Sequence, residues 1–310
     1  TYTFNENNTF DFYVNGNISV LDVRVIDENG EPVDYQLREA SYSVEIQFDN
    51  PTGYTIESIF FREYPWDNNG IEITKENFTF VSDDQTVITF VRPYSYSYSS
   101  YNAYVGISKF SYSNDMIENR LQDVSNKFTT FSYVQSMEVR YISTPEELLA
   151  IEAGYVYELQ NDIDLLGIEW TPIENFYGVF EGNNYTIANL NIIEDYVQDN
   201  NQLNIGFFKL IQGGIIRNVH FREVNIIVAI SEANDSWDAY NLGILAGRIN
   251  EYTDIINVSV EGNISVTSSY SGDIGGITGE MSRATFDRIH SNVSISAKGR
   301  VGGLIGRVYD

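Results

Sequence analysis

Hydrolysis near neutral pH needs a base, a nucleophile or a metal, and the side chains that supply them are scarce in this chain. It has two histidines, His220 and His290, and no cysteine. Thiolate zinc sites, disulfides and cysteine nucleophiles are thereby excluded. Neither histidine has a second histidine at ligand spacing, so the helical His-Glu-x-x-His motif of zinc peptidases is absent. Neither lies near a Gly-x-Ser-x-Gly turn, and no Ser-His-Asp arrangement can be assembled from the sequence. Each falls within a repeated strand pattern, where a ladder or surface position is expected. Asp162 and Asp164 share one face of an expected strand and form the best local carboxylate pair. Polysaccharide-cleaving enzymes use such pairs as acid, base or nucleophile. No His, Arg or Lys cluster accompanies this one, and a turn or inter-coil hydrogen-bonding role is expected instead.

Two stretches, Asp27-Glu28-Asn29-Gly30 and Asp67-Asn68-Asn69-Gly70, have the acidic-then-glycine shape of a cation loop. Neither continues to a distal bidentate glutamate, so both are expected to be hairpin turns, and no metal or cofactor is expected. The remaining unusual segment runs from Tyr94 to Tyr101. It places Tyr94, Tyr96 and Tyr98 on one strand face, with Tyr101 close behind. Tyrosine gives large amphipathic contact at low entropic cost, which suits a neutral glycan or a host protein. The competing reading is a strand whose tyrosines cover a sheet edge.

The elements that must position these residues are strands. Val, Ile, Thr, Tyr and Phe dominate the apolar content and favour pleated surfaces. Ile18–Val25 alternates apolar and polar residues over a full strand length. Further strands are expected at Tyr42–Phe48, Tyr54–Phe61, Phe78–Val81 and Thr86–Val91, separated by Gly, Pro, Asn and Asp clusters. That spacing predicts an immunoglobulin-like β-sandwich over residues 1–137, with residues 1–35 either part of it or the end of a preceding module. Val139–Ile142 reads as a strand. Ile142–Ala153 is then predicted as a short capping helix, with Thr144 as N-cap, Pro145 at the first helical position and Glu147 closing a capping box. Leu148, Leu149 and Ile151 supply its apolar face, which is expected to close the near end of the repetitive region beginning at Tyr155.

From Tyr155 onward the chain repeats itself. One glycine-containing element recurs as Leu242–Gly247, Ile274–Gly279 and Val301–Gly306, with looser forms at Gly178–Gly182 and Ile205–Phe208. A second strand pair comes after each, such as Asn257–Val260 with Asn263–Val266; its counterparts are read as Asn218–Phe221 and Asn292–Ile295. Self-similarity of this kind predicts a solenoid. The repeat glycines Gly243, Gly247, Gly275, Gly276, Gly279, Gly302, Gly303 and Gly306 are expected to form corners, some with positive φ, so that apolar residues three apart both point inward. On that expectation a valine at Gly275 or Gly302 would destabilise the fold.

The ordered blocks Ile142–Leu148, Tyr157–Leu165, Trp170–Ile173 and Phe180–Leu190 resemble the opening of the GLUG-repeat region of bacterial surface proteins. Similar regions precede the catalytic part of the IgA1-specific metallopeptidases. The resemblance covers residues 138–310 and implies a right-handed parallel β-helix on an exported, often wall-attached protein. The whole chain then reads as all-β, an immunoglobulin-like sandwich followed by a parallel β-helix with a short capping helix.

Charge narrows the partners. Against 18 Lys and Arg stand 44 Asp and Glu, a formal net charge of −26. Such a field repels phosphate backbones and anionic lipid, so nucleic acid and membrane surfaces are poor candidates as partners, and no membrane insertion is expected. No apolar run approaches the roughly 20 residues needed to span a bilayer. The expected role is a non-catalytic scaffold or adhesion fragment of a larger extracellular or cell-surface bacterial protein, whose further domains are partners. Continuation beyond Asp310 is expected, as is any catalytic part lying outside the fragment. Two alternatives stay open: the non-catalytic forepart of a secreted metallopeptidase, and a carbohydrate-binding or carbohydrate-cleaving β-helix.

Overall fold

The computed structural model describes residues 18–63, 69–84, 86–92, 102–114, 117–125, 127–197, 203–231 and 240–309. The protein is nearly all β, 68% strand against 2% helix, arranged in several sheets of which none closes on itself. The chain divides into two compact units, the first formed by residues 1–34, 39–95 and 104–131 and the second by 35–38, 96–103 and 132–310.

In the first unit one sheet is antiparallel throughout, in the order Ser19–Ile26, Tyr42–Asp49, Val87–Arg92, Thr79–Phe80. A second sheet runs Phe128–Val134, Asn102–Asn114, Thr55–Arg62, Ile71–Thr74, with Ile117–Asp123 pairing alongside Asn102–Asn114; residues 102–103 and 132–134 of it are counted with the second unit. Period-2 alternation decides what is buried. Val44, Ile46 and Phe48 are at most 2% exposed, and in the other sheet a register shift after Ile56 lets Ile56, Ile59 and Phe61 all be fully buried. The two sheets meet through edge-on aromatic pairs, Phe48 with Phe110 at 5.3 Å and Phe61 with Phe90 at 5.4 Å. Such pairs add roughly 0.5–1.5 kcal/mol each beyond the area they bury.

The second unit is built on a different principle. Tyr35–Leu37 pairs parallel with Ser132–Val134, and three further sheets are parallel throughout. The largest runs Val139–Ile142, Tyr155–Leu159, Gly178–Ala188, Ile215–Ser231, Thr253–Ser268, Ala284–Asp287. The second runs Ile173–Phe176, Phe208–Gln212, Ala246–Asn250, Thr278–Ser282, Ile305–Tyr309. The third runs Leu203–Ile205, Tyr240–Leu242, Gly272–Gly275, Gly299–Gly302. Each strand therefore lies beside its counterpart from the next pass of the chain, and like residues stack in columns. Phe176, Ile211, Ile249, Met281 and Val308 form one column, and Ile205, Leu242, Ile274 and Val301 another. These columns are buried along most of their length, but on the last pass Val301 and Val308 are about half exposed.

The helix is five residues long, Pro145–Leu149, and its cap is complete: Thr144 Oγ1 accepts from the Glu147 N–H, and the Glu147 carboxylate accepts from the Thr144 N–H. Leu148 and Ile151 join the buried cluster around Tyr157 and Leu159. Leu149, expected on the apolar face, is instead 42% exposed. A single helical turn cannot carry three neighbouring apolar side chains to one side. Thr144→Ala is expected to lower stability by about 1 kcal/mol, read as a shift in the urea midpoint. Leu149→Ala, changing an exposed residue, is expected to stay within about 0.5 kcal/mol.

Candidate functional site

The repeat glycines sit where the chain leaves the third parallel sheet and enters the second. Leu242, Ile274 and Val301 are column partners before the corner, and Ala246, Thr278 and Ile305 after it. Leu242, Leu245, Ile274 and Ile277 are all fully buried, so apolar residues three apart do point inward. The expected reason for the glycines does not hold, however. None of Gly243, Gly247, Gly275, Gly276, Gly279, Gly302, Gly303 and Gly306 has a positive φ. Crowding accounts for most of them. A methyl group at Gly275 would lie 2.5 Å from Leu304 O and closer still to Thr278 O, and one at Gly247 would lie 2.6 Å from Ile205 N. Gly303, on the last pass, has open space around it.

Two repeat assignments change. Gly178–Gly182 belongs to the largest sheet, where Val179 pairs with Ile215, and not to the glycine-corner column. Asn292–Ile295 pairs with Glu261–Ile264, so the true counterpart of Asn257 is Arg288. A backbone signal marks that column. Asn184, Asn218, Asn257 and Arg288 all have φ between 53° and 63°, the left-handed region that asparagine tolerates best among residues with a side chain. The Asn257 side-chain amide donates to Asn218 Oδ1 at 2.9 Å and to Asn184 Oδ1 at 3.0 Å. Asn218 in turn donates to Glu181, which pairs with Arg217 at 2.7 Å. The recurrent Asn-Val in Asn218-Val219 and Asn257-Val258 is the sequence trace of this corner.

The candidate acids serve as joints between passes. Asp162 Oδ1 accepts from the Thr186 N–H at 2.7 Å. Asp164 Oδ1 accepts from the Asn189 amide at 2.7 Å and the Leu166 N–H at 2.9 Å. The Asn189 hydrogen bond, with the Leu166 N–H behind it, holds the Asp164 carboxyl below the usual range. His220 and His290 flank Ser259 in one column, Thr186, His220, Ser259, His290. His220 Nδ1 lies 2.8 Å from Ser259 Oγ. Burial pushes the His220 pKa down and Arg222 pushes the same way, against a smaller opposing pull from Asp162.

In the loop after Ile26, Asp27 Oδ1 accepts from the N–H groups of Asn29 and Glu31, which makes it a turn organiser. Tyr94, Tyr96, Tyr98 and Tyr101 lie outside the described residues, as do Asp67 and Asn68. Among the described residues no three His, Cys, Asp or Glu side chains gather closely enough to hold a metal ion. No helix among them is long and apolar enough to cross a membrane.

Charged columns were not legible in the sequence. Arg248, Glu280 and Arg307 stack in register, as do Asn241, Asp273 and Arg300. Asp273 is fully buried and takes Arg300 in two contacts, Nε at 2.5 Å and Nη2 at 3.0 Å. Glu280 lies 2.7 Å from Arg248 Nε, a close charge contact without the alignment of a hydrogen bond.

Comparison with known protein families finds no match, and comparison with curated proteins finds none either.

Proposed function

We propose that the chain is a non-catalytic scaffold and adhesion segment of a larger exported bacterial surface protein. In this reading the first unit is an immunoglobulin-like sandwich, and the second is a right-handed parallel β-helix of the GLUG-repeat kind, with Pro145–Leu149 as its cap. One observation carries it: successive passes of the second unit pair parallel and in register through three sheets. Side chains of a type able to do chemistry are engaged between those passes, Asp162 with Thr186, Asp164 with Asn189, and His220 with Ser259. Stacked passes give a stiff body that holds neighbouring domains apart and offers a long lateral surface.

Two measurements test this reading. Purified protein assayed on peptide, pectin and host-glycan substrates is expected to give no turnover above buffer. Metal-dependent turnover lost in His220→Ala or His290→Ala would overturn the non-catalytic assignment. Antibodies to the chain are expected to label intact source cells, and labelling only after permeabilisation would refute a surface location.

A further inference from the structure

The outer face of the antiparallel sheet in the first unit carries a groove of about 700 Å³, a size common for binding clefts. Its floor derives from strand alternation. Val44, Ile46, Ile88 and Phe90 are buried, so Ser43, Glu45, Thr89 and Val91 belong to the opposite face. Register sets Ser43 opposite Val91, and Glu45 opposite Thr89, which in turn lies opposite Thr79. The turn 27–30 and the segment 76–78 form the walls.

The charge in this groove has one sign. Asp27, Glu28, Glu45 and Glu76 line it, with no lysine or arginine among its lining residues. Two of the four carboxylates are already occupied. Glu45 is 7% exposed and pairs with Arg24 at 2.5 Å, while Asp27 is consumed by its own turn. Glu28 and Glu76 have no ion pair with a basic side chain among the described residues, although Glu76 accepts a hydrogen bond from the Thr74 side chain and feels the charge of Lys75. In the same groove Val81 is 60% and Val91 67% exposed, which leaves apolar surface for a partner to cover.

We propose that this groove binds an extended, lysine- or arginine-bearing segment of a partner protein, its cationic heads reaching Glu28 and Glu76 and its apolar side chains covering Val81 and Val91. An extended chain turns alternate residues to opposite sides, so one facing row can meet the valines and the carboxylates in turn. A second copy of this chain does not fit, because two bodies of net charge −26 repel each other. Anionic glycans and nucleic acids are disfavoured on the same ground.

The test uses the full chain and a fluorescent synthetic peptide of repeated Lys-Ser-Val-Ser, which presents lysine and valine in turn along one face, followed by anisotropy at low and high salt. A glutamate–valine peptide serves as control. The lysine peptide is expected to bind, and Glu28→Lys with Glu76→Lys to weaken it roughly tenfold at low salt. Val91→Ser is expected to weaken it at both salt concentrations. Glu72→Lys with Glu118→Lys changes net charge by the same amount at exposed positions of the same unit that do not line the groove, and is expected to shift affinity by less than about twofold. Circular dichroism melts confirm that each variant is folded. The proposal is overturned if the lysine peptide binds no better than the glutamate peptide. It is equally overturned if the distant pair weakens binding as much as the groove pair, or if Val91→Ser leaves affinity unchanged.

Discussion

Alanine at Gly275 is expected to destabilise the protein by about 3 kcal/mol or more, while alanine at Gly303 leaves stability within about 0.5 kcal/mol. Gly275 pairs with Gly302 on the next pass, Gly303 is the residue after it in the same corner element, and neither Gly275 nor Gly303 has a positive φ. A conformational argument therefore predicts the same effect for both. Packing predicts the opposite. A methyl group at Gly275 meets backbone atoms, Thr278 O, Leu304 O at 2.5 Å and Ile305 Cα at 2.8 Å, none of which can rotate away. At Gly303 nothing lies within 4 Å. Urea unfolding of both variants decides the matter, with the slope of the transition checked because a stack of repeats can lose cooperativity. Equal losses at the two sites would sink the close-approach account.

Phe207→Ala is expected to cost about 3–5 kcal/mol, the range for emptying a large aromatic site in a close-packed core. Phe207 is fully buried, stacked on Trp170 at a centroid distance of 4.4 Å and edge-on to Phe208 at 4.8 Å and Phe221 at 5.1 Å. Its carbonyl also accepts from Trp170 Nε1 at 3.2 Å, so the side chain and backbone of one residue fix the indole together. Rings from different sheets converge here, which leaves little room for the cavity to collapse. Thermal melts beside Leu166→Ala, a residue 75% exposed, give the comparison. A loss below about 1 kcal/mol would mean that the surrounding rings refill the space.

Features that depend on near neighbours are legible in the sequence. The alternation in Tyr42–Asp49 and the capping box at Thr144 and Glu147 are set within a few residues, and both stand in the structure. The three best glycine elements also align in register, because each repeats its apolar spacing around the same corner. Legibility fails where similar local patterns serve different sheets. Gly178–Gly182 has a glycine-and-apolar spacing like that of the corner, yet its neighbours are in the largest sheet. Asn292 pairs with Glu261, and only the register of Ser259 with His290 shows that Arg288 takes the asparagine position. Partners such as Asp273 and Arg300 are invisible in the sequence because contact between passes depends on how many residues each circuit uses. Of the candidate sites, the histidine and aspartate positions are legible as ladder members, whereas the unit-one groove draws on strands too far apart in sequence to suggest it.

The charged columns carry a consequence for how such a gene can change length. Repeats invite loss or gain of a whole copy by unequal recombination, and a stack of identical passes would tolerate it. Here the signs alternate along the stack: Arg248, then Glu280, then Arg307. Excising the pass that carries Asp273 and Glu280 would set Arg248 against Arg307 and leave Arg300 facing Asn241 in place of a carboxylate. The glycine corners would still match, so the backbone could close, but the charges would not. The passes are interchangeable in shape and individual in charge, so loss of the pass that carries Asp273 and Glu280 should cost more than its matching glycine corner suggests.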